Sequence, residues 1–184
     1  MNLLRATRPQ IKVASSSLAE TDYCQVVTKD ADRLYWLAYV LTGDSRQAQE
    51  CFVSGLGECM HFTQVFKDWA ESWSRRAIIK NAIRMTHPRP DGATGILSSD
   101  GWQTADPELS WLTGNLLRLP AFERFVFVMS VMERYREHEC AVLLNCTVAH
   151  VNEARLRALQ QMSEEPAPPV RQQLEPEEKQ LAEA

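Results

Sequence analysis

The sequence lacks most of what an enzyme, a secreted scaffold or a membrane protein would need. It has no Gly-rich phosphate loop, no nucleophile elbow and no paired metal-ligand motif, so no catalytic residue, metal or cofactor is expected. No apolar run approaches the roughly 20 residues that cross a bilayer, which gives no membrane partner. The basic start (Arg5, Arg8, Lys12) is not followed by an apolar stretch with a small-residue cleavage site, so a cytoplasmic location is expected. The five cysteines (24, 51, 59, 140 and 146) are odd in number and form no CxxC pair, which argues against a disulfide framework or a zinc ribbon. Cys59 and His61 are close in sequence but have no second ligand pair, and they read as a core thiol and a surface histidine.

A strong positive charge is also missing, because the chain carries a net −4. That excess is local. The segment 163–184 holds Glu164, Glu165, Glu175, Glu177, Glu178 and Glu183 against Arg171 and Lys179, while 66–90 is rich in Lys67, Arg75, Arg76, Lys80, Arg84 and Arg89. Local rather than total charge decides where a phosphate backbone docks. Acidic, proline-bearing and poor in apolar residues, 163–184 reads as a disordered tail that could compete for the basic face.

What is present is helical periodicity in two blocks. After an N-terminal extension (1–27), the block 28–86 opens with Leu34, Leu37, Ala38 and Leu41 at helical spacing. Gly43 suits a left-handed helix end, and Asp44 can cap a second helix carrying Ala48, Cys51, Phe52 and Leu56. A third helix runs from about Phe62 to Met85. Its Trp69 and Trp73 read first as core, Trp69 more than Trp73, with base stacking as the sharper alternative. Pro88, Pro90, Gly92 and Gly95 mark 87–105 as a flexible linker. The block 106–162 begins with Asp106-Pro107-Glu108, a helix start, and continues with Leu109, Leu112, Leu116 and Leu119. Pro120 opens a helix with Phe122, Phe125, Val126, Met129 and Met132 inward, although 125–129 would also suit a buried strand. A short helix over 136–144 and the turn Asn145-Cys146-Thr147 lead to a last helix burying Val151, Ala154, Ala158, Leu159 and Met162.

The fold class is therefore all-α, two small helical domains joined by a linker, the second ending in a helix-turn-helix. In that motif the N-terminal half of the second helix enters the major groove. Ala149, His150, Asn152, Glu153 and, a turn later, Arg157 face outward there: Asn can pair with adenine and Glu with cytosine, while Arg155 and Arg157 suit phosphate or guanine.

The residues Leu119-Pro120 to Phe127, Tyr135, Glu139, Ala141, Leu143-Leu144, Cys146, Val151 and Arg157-Ala158 resemble region 4 of bacterial RNA polymerase sigma factors of the extracytoplasmic-function type. Leu37-Ala38 through Asp44, then Ala48, Glu50, Trp73, Asn81 and Arg84, resemble region 2 of the same family, in the family's order. The resemblance implies transcription initiation, with double-stranded promoter DNA and the RNA polymerase core as partners and room for an anti-sigma protein. It implies upstream-element contacts at His150, Asn152, Glu153, Arg155 and Arg157. It implies downstream-element contacts at Trp73, Arg75, Arg76, Lys80, Asn81 and Arg84, and polymerase contacts at Asp44, Gln49 and Glu50. The sequence departs from the family's pattern at Val53, where Gln is usual, and at 150–154, which has lost two cations. Fewer cations mean fewer phosphate contacts. The alternative is therefore a sigma-fold interaction module without promoter recognition.

Overall fold

The structure is a computed structural model that describes residues 16–60, 67–92 and 104–164, with side chains described over 29–58, 71–92 and 104–164. Among these residues every regular element is helical: α1 Ser16–Thr42, α2 Ser45–Met60, α3 Lys67–Thr86, α4 Pro107–Arg118, α5 Ala121–Phe127, a π-helical turn Val128–Met132, α6 Glu137–Leu143 and α7 Val148–Glu164. The first helix begins at Ser16, well before the start near residue 28 expected from periodicity. The acidic segment beyond Glu164, the Cys59 side chain and His61 lie outside what is described.

The turn chemistry of the first group follows the sequence. Gly43 adopts φ 71°, a conformation that costs glycine nothing, and its N–H donates to the Tyr39 carbonyl at 2.7 Å to end α1. The Asp44 carboxylate then accepts from the Gln47 N–H at 2.8 Å, starting α2. Leu34, Leu37, Ala38 and Leu41 are buried, as are Ala48 and Cys51 of α2 and Ala77, Ile78, Ile79 and Ala82 of α3. Helices α2 and α3 touch backbone to backbone at Gly55, where a Cβ would sit 3.0 Å from Ile78 Cγ1 and 3.2 Å from Ile78 N. One turn earlier, the Cys51 thiol donates to the Ile78 carbonyl at 3.3 Å. Burial pushes that thiol up to about 12.

In the second group, Asp106 caps α4 by accepting from Glu108 N and Leu109 N, with Pro107 at the first helical position. Phe122 and every residue from Phe125 to Met129 are buried. The strand alternative for 125–129 is replaced by a helix that buries its whole circumference, which explains why its pattern lacks clean periodicity. Along α7, Val151, Ala154 and Ala158 are fully buried and Met162 partly so, but Leu159 is 40 % exposed. The expected burial of Leu159 is thus corrected: the narrow seam of small alanines against α5 and α6 leaves it outside.

The two groups share one core, because their buried residues form a single cluster. Trp36 Nε1 donates to Thr113 Oγ1 at 2.8 Å, joining α1 to α4. Arg124 of α5 is only 1 % exposed and donates to the carbonyls of Leu119 (3.3 Å) and of Leu41 at the end of α1 (3.4 Å). No carboxylate pairs with it among the described residues, and its Nε has no partner. Burial alone lowers its pKa to about 10. Of the expected linker, 87–92 and 104–105 are described. His87 takes a left-handed φ of 47° with its N–H on the Ile83 carbonyl, and Gly92 N closes a turn on Arg89 O.

Candidate nucleic-acid interface

Helices α6 and α7 meet at a short turn that the sequence specifies residue by residue. Asn145 takes φ 51°, a left-handed conformation Asn tolerates, and Cys146 N donates to Ala141 O at 2.9 Å. Thr147 Oγ1 accepts from His150 N at 3.2 Å and caps α7. Val151 and Ala154 anchor the helix inward, which leaves His150 and Glu153 exposed and Asn152 half-exposed on the opposite side. Five residues expected to read DNA therefore share one end of α7.

Both cations of that set are already paired. Arg157 Nε donates to Glu123 Oε1 of α5 at 3.0 Å, and Glu123 is buried. Its Nη1 lies 3.8 Å from the exposed Glu153. Arg155 Nη1 lies 3.6 Å from Glu137 at the start of α6, both half-exposed. The second pair is loose enough for a phosphate to displace; the first is held by a carboxylate that would be stranded without it.

The expected downstream set lies on α3 but does not form one free face. Trp73 is 40 % exposed, and Arg76 and Lys80 are exposed. Arg75 is clamped between Glu71 (2.9 Å, one turn back) and Glu133 (2.8 Å), which lies just past the π-helical turn in the second group. Burial pulls its pKa down, but the two carboxylates outweigh it and the net direction is up. Arg84 pairs with Glu58 of α2 and with Asn81 Oδ1 at 2.7 Å. The Arg84 hydrogen bond holds the Glu58 carboxyl below its ordinary range. Asn81 is 7 % exposed and spends its amide on the Ala77 carbonyl at 2.9 Å, so as folded it offers no edge to DNA.

The residues expected to meet polymerase share the start of α2. Gln49 and Glu50 are exposed, Asp44 caps the helix, and Glu50 accepts from Arg46 at 3.2 Å.

Sequence reasoning gave no contact role to Glu123, Glu133, Arg134 or Tyr135, although Glu123 and Tyr135 lie in the stretch that carries the resemblance. The importance of Glu123 and Glu133 comes from what folds against them. Arg134, at φ 57°, and Tyr135, whose ring lies 5.9 Å from the Arg76 guanidinium, belong to a connection that periodicity cannot resolve. No family model matches the chain, and neither does any curated protein or solved structure compared with it.

Proposed function

We propose that the protein is a sigma-like factor that directs RNA polymerase to promoters, with α7 reading the upstream element and α3 contacting the downstream one. The observation that carries this reading is the exposed N-terminal half of α7, displayed at a capped turn with Val151 and Ala154 buried beneath it. His150, Asn152 and Glu153 supply base-edge chemistry and Arg155 supplies phosphate contact. Trp73, Arg76 and Lys80 supply the stacking and charge an opened strand requires. Gln49 and Glu50 offer the polar, exposed surface for the polymerase core. An anti-sigma protein would be the natural regulator of such a factor. Co-purification with RNA polymerase core tests the proposal, and failure to bind core sinks the initiation role.

A second reading is supported by one observation: Val142 (78 % exposed), Val148, Leu156 and Leu159 are all solvent-facing on α6 and α7. Apolar side chains so placed favour a protein partner over a phosphate backbone. On that reading the same helices form an interaction module. Retention of no sequence from a random promoter library in mobility shifts, together with capture of a protein partner, would favour it.

A further inference from the structure

A cleft of about 760 Å³ lies between α3 and the connection from the π-helical turn to α6. Its size falls within the range of small-molecule sites. One wall presents Trp73, Arg75 and Arg76, and the other presents Glu133, Arg134 and Tyr135. The charge balance inside it is uneven. Glu133 is committed to Arg75 at 2.8 Å. Glu139, the other acid in the cleft, accepts from the Arg136 backbone N–H at 2.9 Å. Arg76 and Arg134 are both exposed, and neither has a carboxylate partner among the described residues. Arg76 is held over the Tyr135 ring, 5.9 Å from its centroid.

The backbone that presents Arg134 is unusual in two ways. The preceding turn is π-helical, with Glu133 N donating to Val128 O at 2.9 Å, and just beyond it Tyr135 N donates to Met129 O at 2.9 Å and closes the chain reversal. Turns of this kind recur at functional sites. Arg134 itself takes φ 57°, where glycine is free of strain and an arginine is not. This backbone places the Arg134 side chain at the mouth of the cleft, opposite Arg76 and Trp73.

We infer that this cleft binds a nucleotide-class ligand, an aromatic base carrying at least one phosphate. The base would lie against the exposed indole of Trp73, and the phosphate would meet the guanidinium groups of Arg76 and Arg134, whose planar forks match phosphate oxygens. The site draws on both helix groups, so occupancy would hold them together. It shares Trp73 and Arg76 with the proposed downstream-DNA face but does not rest on that role, since neither DNA nor polymerase enters the test.

The test is calorimetric titration of the full chain with AMP, with ATP, and with a single-stranded oligonucleotide as the other source of the same chemistry. Saturable binding of a mononucleotide is expected. Arg134→Gly should weaken it by about tenfold or more while leaving the melting temperature unchanged or raised, because the substitution relieves the left-handed strain. Trp73→Phe should weaken it less, since a smaller ring still stacks. No saturable binding of either mononucleotide, binding of the oligonucleotide alone, or wild-type affinity in Arg134→Gly would overturn the inference. Loss of polymerase binding in a separate assay would leave it standing.

Discussion

Arg75 of α3 donates to Glu133, 2.8 Å away across the boundary between the two helix groups, and so ties an expected DNA-contacting cation to an acid of the other group. The pair is largely shielded, with side-chain exposures of 27 % and 12 %. The cation is therefore available to a phosphate only if the two groups part or Glu133 is lost.

Glu133→Gln keeps the shape and removes the charge. Because Arg75 retains Glu71, the fold should lose only about 1 kcal/mol. Affinity for duplex DNA at low salt should rise, and the slope of log affinity against log salt should steepen by about one unit for the freed phosphate contact. Fluorescence anisotropy across a salt series measures both, and an unchanged slope would show that Arg75 does not meet phosphate.

The two paired arginines of α7 should behave differently. Arg155→Ala should weaken DNA binding about equally across sequences and lower the slope of log affinity against log salt by about one unit, with little effect on folding, since its partner Glu137 is half-exposed. Arg157→Ala should instead lower stability by about 1–3 kcal/mol, because Glu123 is left buried and unpaired, and should weaken DNA binding less than Arg155→Ala, since Arg157 is already held by Glu123. Binding isotherms set beside urea melts separate the two effects. Equal stability for both variants would contradict the Arg157–Glu123 geometry.

Arg124 is a buried charge with carbonyl partners only, and replacing it should help. Arg124→Met should raise unfolding free energy by about 1–4 kcal/mol, because two long carbonyl bonds (3.3 and 3.4 Å) do not offset the desolvation of the guanidinium. The sign of its pH dependence follows from the lowered pKa of about 10. Below that value the arginine is protonated both folded and unfolded, so the gain should be flat from neutral pH to about pH 9. As pH rises through about 10, the folded wild type releases the proton, its penalty fades, and the gain shrinks. Urea midpoints of both proteins across pH measure this, and a destabilised Arg124→Met protein would mean that the two carbonyl bonds outweigh desolvation.

Gly55→Ala tests the close approach of α2 to α3. The added Cβ would meet Ile78 backbone as well as its side chain, so relaxation is costly and a loss of about 1–3 kcal/mol is expected despite alanine's better helix propensity. A thermal melt decides it, and a stabilised variant would mean that the helices move apart freely.

Much of this fold was legible because the signals were local. Gly43, Asp44, Asp106-Pro107, Asn145 and Thr147 each do what their backbone chemistry requires, and the helical spacing of Leu34 through Leu41 marks a buried face. Asp106 is legible from three consecutive residues, whereas the Arg75–Glu133 pair spans 58 positions and no spacing rule foresees it. Asn81 misled for the same reason: on a helical wheel it adjoins the basic residues, but α3 is covered on more than one side and Asn81 falls within the covered part. Trp73 is the converse case, an aromatic at core-like spacing that remains 40 % exposed. The outward face of α7 was legible because Val151, Ala154 and Ala158 fix its rotation, but its acid partners were not.

The most direct test of the central proposal is transcription by RNA polymerase core from a genomic DNA library, with and without the protein, reading transcript 5′ ends. The proposal predicts discrete start sites that appear only with the protein and fade when Asn152 and Arg155 are both changed to alanine. Core that binds the protein yet yields no protein-dependent transcript would contradict it.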